Sequence, residues 1–337
     1  MKRFFRRFAS YLMLLAALAV ALLSLALWLA HRPVRLEAPV IDFTVQRGLG
    51  MRQAANVIAR AGVGIEPRLL TWLAVVTGRA NRIKAGSYEV HEGLTPWQLI
   101  LKLSDGDVSQ ASVLLVEGWT FRQMRQTLES TPELVPDTVG LTDAEILNRI
   151  GASEAHPEGL FFPDTYLFDK RSGSLAVFKR AYVAMQQRLA QAWAERDPAS
   201  PLGSPYEALI LASIIEKETG RPDERGLVAS VFANRLRLGM PLQTDPTVIY
   251  GLSPGFDGRL RRKDLETDHP WNTYMRPGLP LTPIAMPGPD SLRAAVRPQA
   301  SDFLYFVARG DGSSEFSRNL GDHNRAVERY IRNGRNN

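Results

Sequence analysis

The chain has 337 residues, 45% of them hydrophobic and 23% charged, which is enough for a membrane segment plus two domains and argues against wholesale disorder. It holds no cysteine, so structural disulfides, thiolate zinc sites and a cysteine nucleophile are excluded. The formal charge of +6 belongs to the N-terminus: residues 1–35 carry Lys2, Arg3, Arg6, Arg7, Arg32 and Arg35 and no acid, and without those six the chain has 35 basic against 35 acidic residues. A neutral body argues against nucleic acid as a partner, because counterion release needs a basic folded surface.

Residues 8–30 form 23 positions without a charge. At about 1.5 Å per residue they make about 34 Å of helix, enough to cross a hydrocarbon core of about 30 Å. The larger basic cluster precedes the run, so the positive-inside rule makes residues 1–7 a cytoplasmic tail and puts the body outside. The alternative is a cleaved signal peptide with Ser24-Leu25-Ala26 at the cut, but the apolar run continues through Leu27, Trp28 and Leu29. Residues 31–41, with Pro33 and Pro39, read as a linker.

Residues 42–108 read as a small α/β unit. Strand signals at 43–45 and 87–90 flank a helix at 51–61, with Ala54, Ala55, Ile58 and Ala59 on one side, and a second at 67–76, with Leu69, Leu70, Trp72 and Leu73. A third helix at 96–103 is closed by Asp105-Gly106. The stretch FTVQRGLGMRQAANVIARAG followed by GLTPWQLILKL resembles a LysM-like module, a peptidoglycan-binding fold. A small α/β domain with no glycan affinity fits the same residues.

Residues 112–333 read as a larger α+β domain. VLLVEGWTFRQMRQTLE gives a strand, a turn and a helix; EGLFFPDTYLFD is aromatic-rich; and 178–193 is an amphipathic helix with Val183, Leu189 and Trp193 among its apolar positions. The next helix starts at Pro205 and stops at Gly220-Arg221-Pro222. With Leu211 set at zero and roughly 100° per residue, Ala208, Ile214 and Ile215 define a buried stripe and Glu218 falls inside it, at about −20°. Glu216 falls at about +140°, on the opposite face, and reads as an ordinary solvated residue.

An apolar surround and the negative end of the helix dipole would both raise the pKa of Glu218, as a general acid working near neutral pH requires. The alternative is a buried glutamate paired with Arg225, Arg235 or Arg237 to hold two helices together. Glu207 lies on the same face, but in the first turn, where a carboxylate has a routine dipole reason to be.

A helix at 224–238 follows, with Leu227, Val228, Val231, Phe232 and Leu236 as its core stripe. A turn is expected at Asp245-Pro246. Gln243, Thr244, Asp245 and Tyr250 are types that hydrogen-bond sugar hydroxyls; alternatively the aspartate only caps the turn. The segment 268–288 has five prolines together with Trp271, Asn272 and Tyr274, and either lines a groove or covers the core. The histidines at 31, 91, 156, 269 and 323 have no metal-ligand spacing, and no HExxH, GxSxG or P-loop pattern occurs, so no metal or other cofactor is expected.

Taken together, ASIIEKET, VFANRLRLGMPLQTDPTVIYG, WNTY, GLP and LYFVARGDGSSEFSRNLGDHN resemble the endolytic murein transglycosylase, or YceG-like, family. The resemblance implies a lyase that cuts the bond between N-acetylmuramic acid and N-acetylglucosamine in nascent glycan strands. It would leave 1,6-anhydromuramyl ends, end strand elongation and need no cofactor. It also implies a single-pass inner-membrane protein with a periplasmic catalytic domain, with glycan strands and peptidoglycan synthases as partners. By motif, Glu218, the second glutamate of EKE, is the catalytic acid and then the base. Gln243, Thr244, Asp245, Asn272 and Tyr274 are the expected sugar-binding residues. The chain departs from the family at GLPLTPIAMPG, where the family tends to read Leu-Pro-Pro-Gly-Pro-Ile, and in HPWNTY before the asparagine. Two other readings stay open: a muramidase using water with Asp245 as second carboxylate, and a non-catalytic wall-binding anchor.

Overall fold

In the computed structural model, which describes residues 2–332, the chain folds into two units with a mixed helix and strand content. Met1 and Asn333, the outer ends of the expected tail and larger domain, lie outside the described residues. The first unit takes residues up to 111 together with 167–171, and the second takes 112–166 and the rest.

Helix α1 (Lys2–His31) opens the first unit and contains one stretch, Tyr11–His31, long and apolar enough to cross a membrane. Its leucines from Leu12 to Leu27 are exposed, whereas Ala30 is buried in the core of the unit. Then follow β1 (Arg35–Leu36), β2 (Val40–Val45), α2 (Met51–Arg60), β3 (Val63–Gly64), α3 (Pro67–Val76), β4 (Gly86–His91), α4 (Pro96–Asp105) and β5 (Gln110–Leu114, whose last three residues belong to the second unit).

Strands β2 and β4 pair antiparallel with Phe43 opposite Tyr88, and the two rings stack at 5.6 Å. Ile41, Phe43 and Val45 alternate inward along β2 and meet Ile58, Leu70, Leu99, Ile100 and Leu103 from the helices. Thr95 and Gln98 close a capping box at the start of α4, and Gly106 ends the helix in the left-handed conformation. Lys170, in the returning segment, donates to Glu89 at 2.7 Å.

The expected linker at 31–41 is part of this fold. Arg35 and Leu36 pair with Gly64 and Val63, and the N–H of Val34 donates to the carbonyl of Leu94 at 2.8 Å. Two prolines suggested free chain, but they fall outside the paired residues and leave these N–H groups available.

The second unit contains α5 (Phe121–Ser130), α6 (Asp143–Ile150), β6 (Thr165–Asp169, whose last residues belong to the first unit), α7 (Ser174–Ala194), α8 (Pro205–Glu218), α9 (Arg225–Arg237), α10 (Asp245–Leu252), α11 (Arg262–Glu266), α12 (Pro289–Val296), β7 (Tyr305–Ala308), β8 (Ser314–Ser317) and α13 (Leu320–Val327). Helix α8 is its axis, packed by α7, α9, α10 and α12. Ser204 caps the helix through its hydroxyl, Pro205 occupies the first turn, and every residue from Ala208 to Ile215 is buried.

This differs from the one-sided stripe expected from the helical wheel. Helices wrap α8 all round, so it is apolar all round. Even Ser213 is buried, donating to the carbonyl of Ile210 at 2.7 Å and accepting from the N–H of Ile284 at 3.0 Å. The aromatic-rich stretch contributes Phe161 to a cluster with Phe121 and Phe178, with ring centroids 5.4 to 5.8 Å apart.

Candidate active site

Glu218 is the last residue of α8, and Thr219 leaves the helix in an extended conformation. The buried body of the helix therefore delivers one carboxyl group to the wall of a cleft of about 420 Å³. Glu218 is half-buried there, beside Gln243, Asp245, Tyr274, Arg235, Tyr305 and His323.

Burial pushes the Glu218 carboxyl up to about 7, and the negative charge of Asp245 pushes the same way. A hydrogen bond donated by the Thr244 hydroxyl to Oε1 opposes them. The position at a helix C-terminus also disfavours the ionised form. Among the described residues, none of the three arginines offered as ion-pair partners reaches it. Arg225 faces Asp290 at 3.4 Å, Arg235 donates to the carbonyls of Pro241, Leu242 and Leu304, and Arg237 donates to the Ala199 carbonyl and Asn234.

The segment 241–252 supplies the opposite side. The expected turn at Asp245-Pro246 is instead the first turn of α10, since proline suits the start of a helix as well as a turn. Thr244 is buried just before it, its backbone fixed by Thr247 and Thr273: Thr244 N–H donates to Thr273 Oγ1 at 3.1 Å and Thr247 Oγ1 donates to Thr244 O at 2.7 Å. Thr244 therefore meets Glu218 rather than lining the cleft. Gln243 is a non-glycine residue at φ 51°, a sparsely populated region, and its side chain accepts from Arg235 at 3.3 Å.

Tyr274 donates to Asp245 at 2.6 Å, and burial together with that carboxylate holds the phenol well above its usual pKa. Gln243, Asp245 and Tyr274 thus stand in the cleft with Glu218.

Asn272 does not line the cleft. It is fully buried, its amide nitrogen donating to the carbonyls of Leu265 at 2.9 Å and Thr267 at 2.7 Å while its oxygen accepts from the N–H of Tyr274 at 2.9 Å. The expected sugar contact is replaced by a structural role, because all its polar capacity is directed at the loop that presents Tyr274. Glu216 is not an ordinary solvated residue either. It is half-buried and accepts the N–H of Gly288 at 2.9 Å, the first residue before α12, where the helix dipole favours a negative charge. The neighbouring Glu117 is raised by burial and then by Glu216.

Sequence reasoning missed Glu158. This residue is 5% exposed, and burial pushes its carboxyl up to about 7 against hydrogen bonds from Phe121 N–H at 2.9 Å and the Tyr250 hydroxyl at 3.0 Å. The available signal was a glutamate heading the apolar run GLFFP, residues 159–163, all of them buried. The run lies in a loop without a helical period, so the wheel that singled out Glu218 had nothing to act on.

Residues 43–329 match the YceG-like family. A Bacillus subtilis protein named "Endolytic murein transglycosylase" is 30% identical over 308 residues, covering 86% of this chain and 85% of its own length. A Streptococcus pneumoniae protein of the same name is 24% identical over 325 residues, covering 85% of this chain but only 58% of its own length. The crystal structure of a YceG-like protein from Listeria monocytogenes superposes with a TM-score of 0.53 at 28% identity, covering 85% of this chain and 98% of that one. The match extends through the apolar strands and helices of the first unit as well as the Glu218 cleft, and on it the chain belongs to the YceG-like family.

Proposed function

We propose that the protein is an endolytic lytic transglycosylase of peptidoglycan, with Glu218 as the single acid and base. The observation that carries the reading is a carboxyl at the wall of a cleft, raised to about 7 by burial and touched by a neutral hydroxyl rather than a cation. Such a group is protonated in a large fraction of molecules near neutral pH, which suits a general acid.

In the first step Glu218 gives its proton to the oxygen of the bond between N-acetylmuramic acid and N-acetylglucosamine as that bond breaks. In the second, the same carboxylate takes the proton of the substrate's own 6-hydroxyl as that oxygen closes on C1. The product is a 1,6-anhydro end, and the proton count balances without water. Gln243, Asp245 and Tyr274 orient the sugar or support the developing positive charge, while Thr244 fixes the rotamer of the acid. Relatives carrying the name endolytic murein transglycosylase support the substrate class.

The remaining parts of the reading extend the same proposal. α1 anchors the chain in the inner membrane with its basic end in the cytoplasm. The first unit acts as a LysM-like glycan-holding module. The catalytic unit works in the periplasm on strands leaving a peptidoglycan synthase, and its cuts end their elongation.

Asp245 in the same cleft keeps one competing reading concrete, a muramidase in which Asp245 activates water. Mass spectrometry of peptidoglycan digested by the purified full-length chain separates them. Anhydromuramyl ends are expected, and Glu218→Gln should abolish cutting while leaving the circular dichroism spectrum intact. Reducing ends, or undiminished cutting by Glu218→Gln, would overturn the assignment.

A further inference from the structure

A second cleft, of about 570 Å³, lies in the same unit and is lined by Arg122, Gln123, His156, Glu158, Tyr250 and Trp271 among others. None of these residues belongs to the wall around Glu218. The two clefts nevertheless share two supporting elements. Helix α10 begins with Asp245 in the first cleft and presents Tyr250 to the second; five residues at about 1.5 Å each separate them by about 7.5 Å along the axis. The loop after α11 presents Tyr274 to the first cleft and Trp271, three residues earlier, to the second.

The wall of the second cleft is built rather than incidental. Trp271 donates its indole N–H to Thr282 at 2.9 Å, and its ring meets Tyr250 edge to face at 5.5 Å. Tyr250 is in turn held by Glu158, which is itself fixed by the N–H of Phe121. The polar ends of both aromatics are thus satisfied inside the protein, leaving ring surface toward the cleft. Gly251 lets α10 sit against this loop, since a Cβ there would stand 2.3 Å from the His269 ring.

We propose that this second cleft is a saccharide subsite, which receives an N-acetylated sugar of the same glycan strand on the Tyr250–Trp271 wall, with Arg122 and His156 at its rim hydrogen-bonding the sugar. The inference rests on the glycan-cutting reading above and adds where the strand continues. An enzyme that cuts within a polymer needs contacts on sugars beyond the scissile bond, and one helix and one loop carry lining residues of both clefts. The lining favours sugar over the anionic stem peptide: aromatic rings and mixed polar groups predominate, and Asp143, which pairs with Arg125, adds a carboxylate to the same cleft. Glu158 is a positioning residue for Tyr250, and its raised pKa follows from its place beneath the wall.

The test is binding by the full-length chain in detergent micelles, carrying Glu218→Gln so that strands survive. Isothermal titration with soluble glycan strands stripped of stem peptides gives the parent Kd. Adding Trp271→Ala, or separately Arg122→Ala, should weaken that Kd by roughly three- to tenfold. Arg122 is exposed, so its variant decides the matter if Trp271→Ala melts early. Unchanged Kd values for both variants would overturn the proposal, as would a loss seen only with peptide-bearing strands, which would give the cleft to the stem peptide. The readout needs no cutting. Absence of anhydro products from the unsubstituted chain, with weakened binding in the variants, would therefore reject the lytic chemistry and keep the subsite.

Discussion

Replacing Thr244 by valine tests the electrostatics of the proposed acid directly. Valine keeps the shape and removes the hydroxyl that donates to Glu218 Oε1. The backbone at 244 should hold, because Thr273 and Thr247 secure it through its N–H and carbonyl. A hydrogen bond to a charged group is worth about 1.5–3 kcal/mol, and about 1.36 kcal/mol corresponds to one pKa unit.

The hydroxyl stabilises the carboxylate, so its loss should raise the Glu218 pKa from about 7 by roughly one to two units. In the proposed mechanism the protonated form is the donor, so activity should fall as pH rises through this pKa. The alkaline limb of the pH–rate profile, followed by anhydromuropeptide release between pH 5 and pH 10, should therefore move to higher pH. A limb that stays in place, or moves to lower pH, would refute the account of Thr244 as the group holding the acid's pKa down.

Glu158 and Glu218 are both raised to about 7, so each favours the fold below its unfolded pKa near 4.5, and that contribution is lost as pH rises through about 7. The melting temperature of the native chain, minus that of the Glu158→Gln, Glu218→Gln double variant, should therefore become more negative between pH 5 and pH 8 in thermal scans; a flat difference would contradict the burial of both. Asn272→Ala removes the fully buried amide that ties the Leu265 and Thr267 carbonyls to the Tyr274 N–H, and should cost about 1–3 kcal/mol in urea titrations and lower activity through the displaced Tyr274. Glu216→Gln keeps an acceptor for the Gly288 N–H and removes a charge facing Glu117; cutting should stay within about twofold of the native rate at pH 7, a difference of under about 0.5 kcal/mol.

Helix ends carried much of what the sequence revealed. Pro205 and the Gly220-Arg221-Pro222 stop bracket α8 as observed, and the helices expected from Pro67 and Pro96 likewise start there. The wheel singled out Glu218 from an incomplete picture of its helix. It assumed one apolar face, whereas α8 is enclosed on all sides and Glu218 is distinguished by standing at the end of the buried stretch. Thr244, Asn272 and Glu216 were misjudged for a common cause: which atoms a short polar side chain reaches depends on packing between elements distant in sequence. Thr244 meets Glu218 across 26 positions, and Glu216 meets Gly288 across 72. No local pattern encodes such pairings. Segment 31–41 was misread in the same way, since a two-residue strand is visible only beside its partner.

The enclosure of α8 also governs when its chemistry can be lost. Slow amide exchange belongs to backbone that opens only when a whole cooperative unit opens, and the N–H groups between Leu211 and Ile215 lie in such backbone. The proposed acid, Glu218, stands three residues beyond them. Partial loosening of the surface loops would weaken the proposed grip on sugar, whereas displacing the Glu218 carboxyl means disturbing the end of a helix whose body is buried. Damage to this protein should thus divide into variants that grip poorly and variants that do not fold, with few that fold and merely lose their acid.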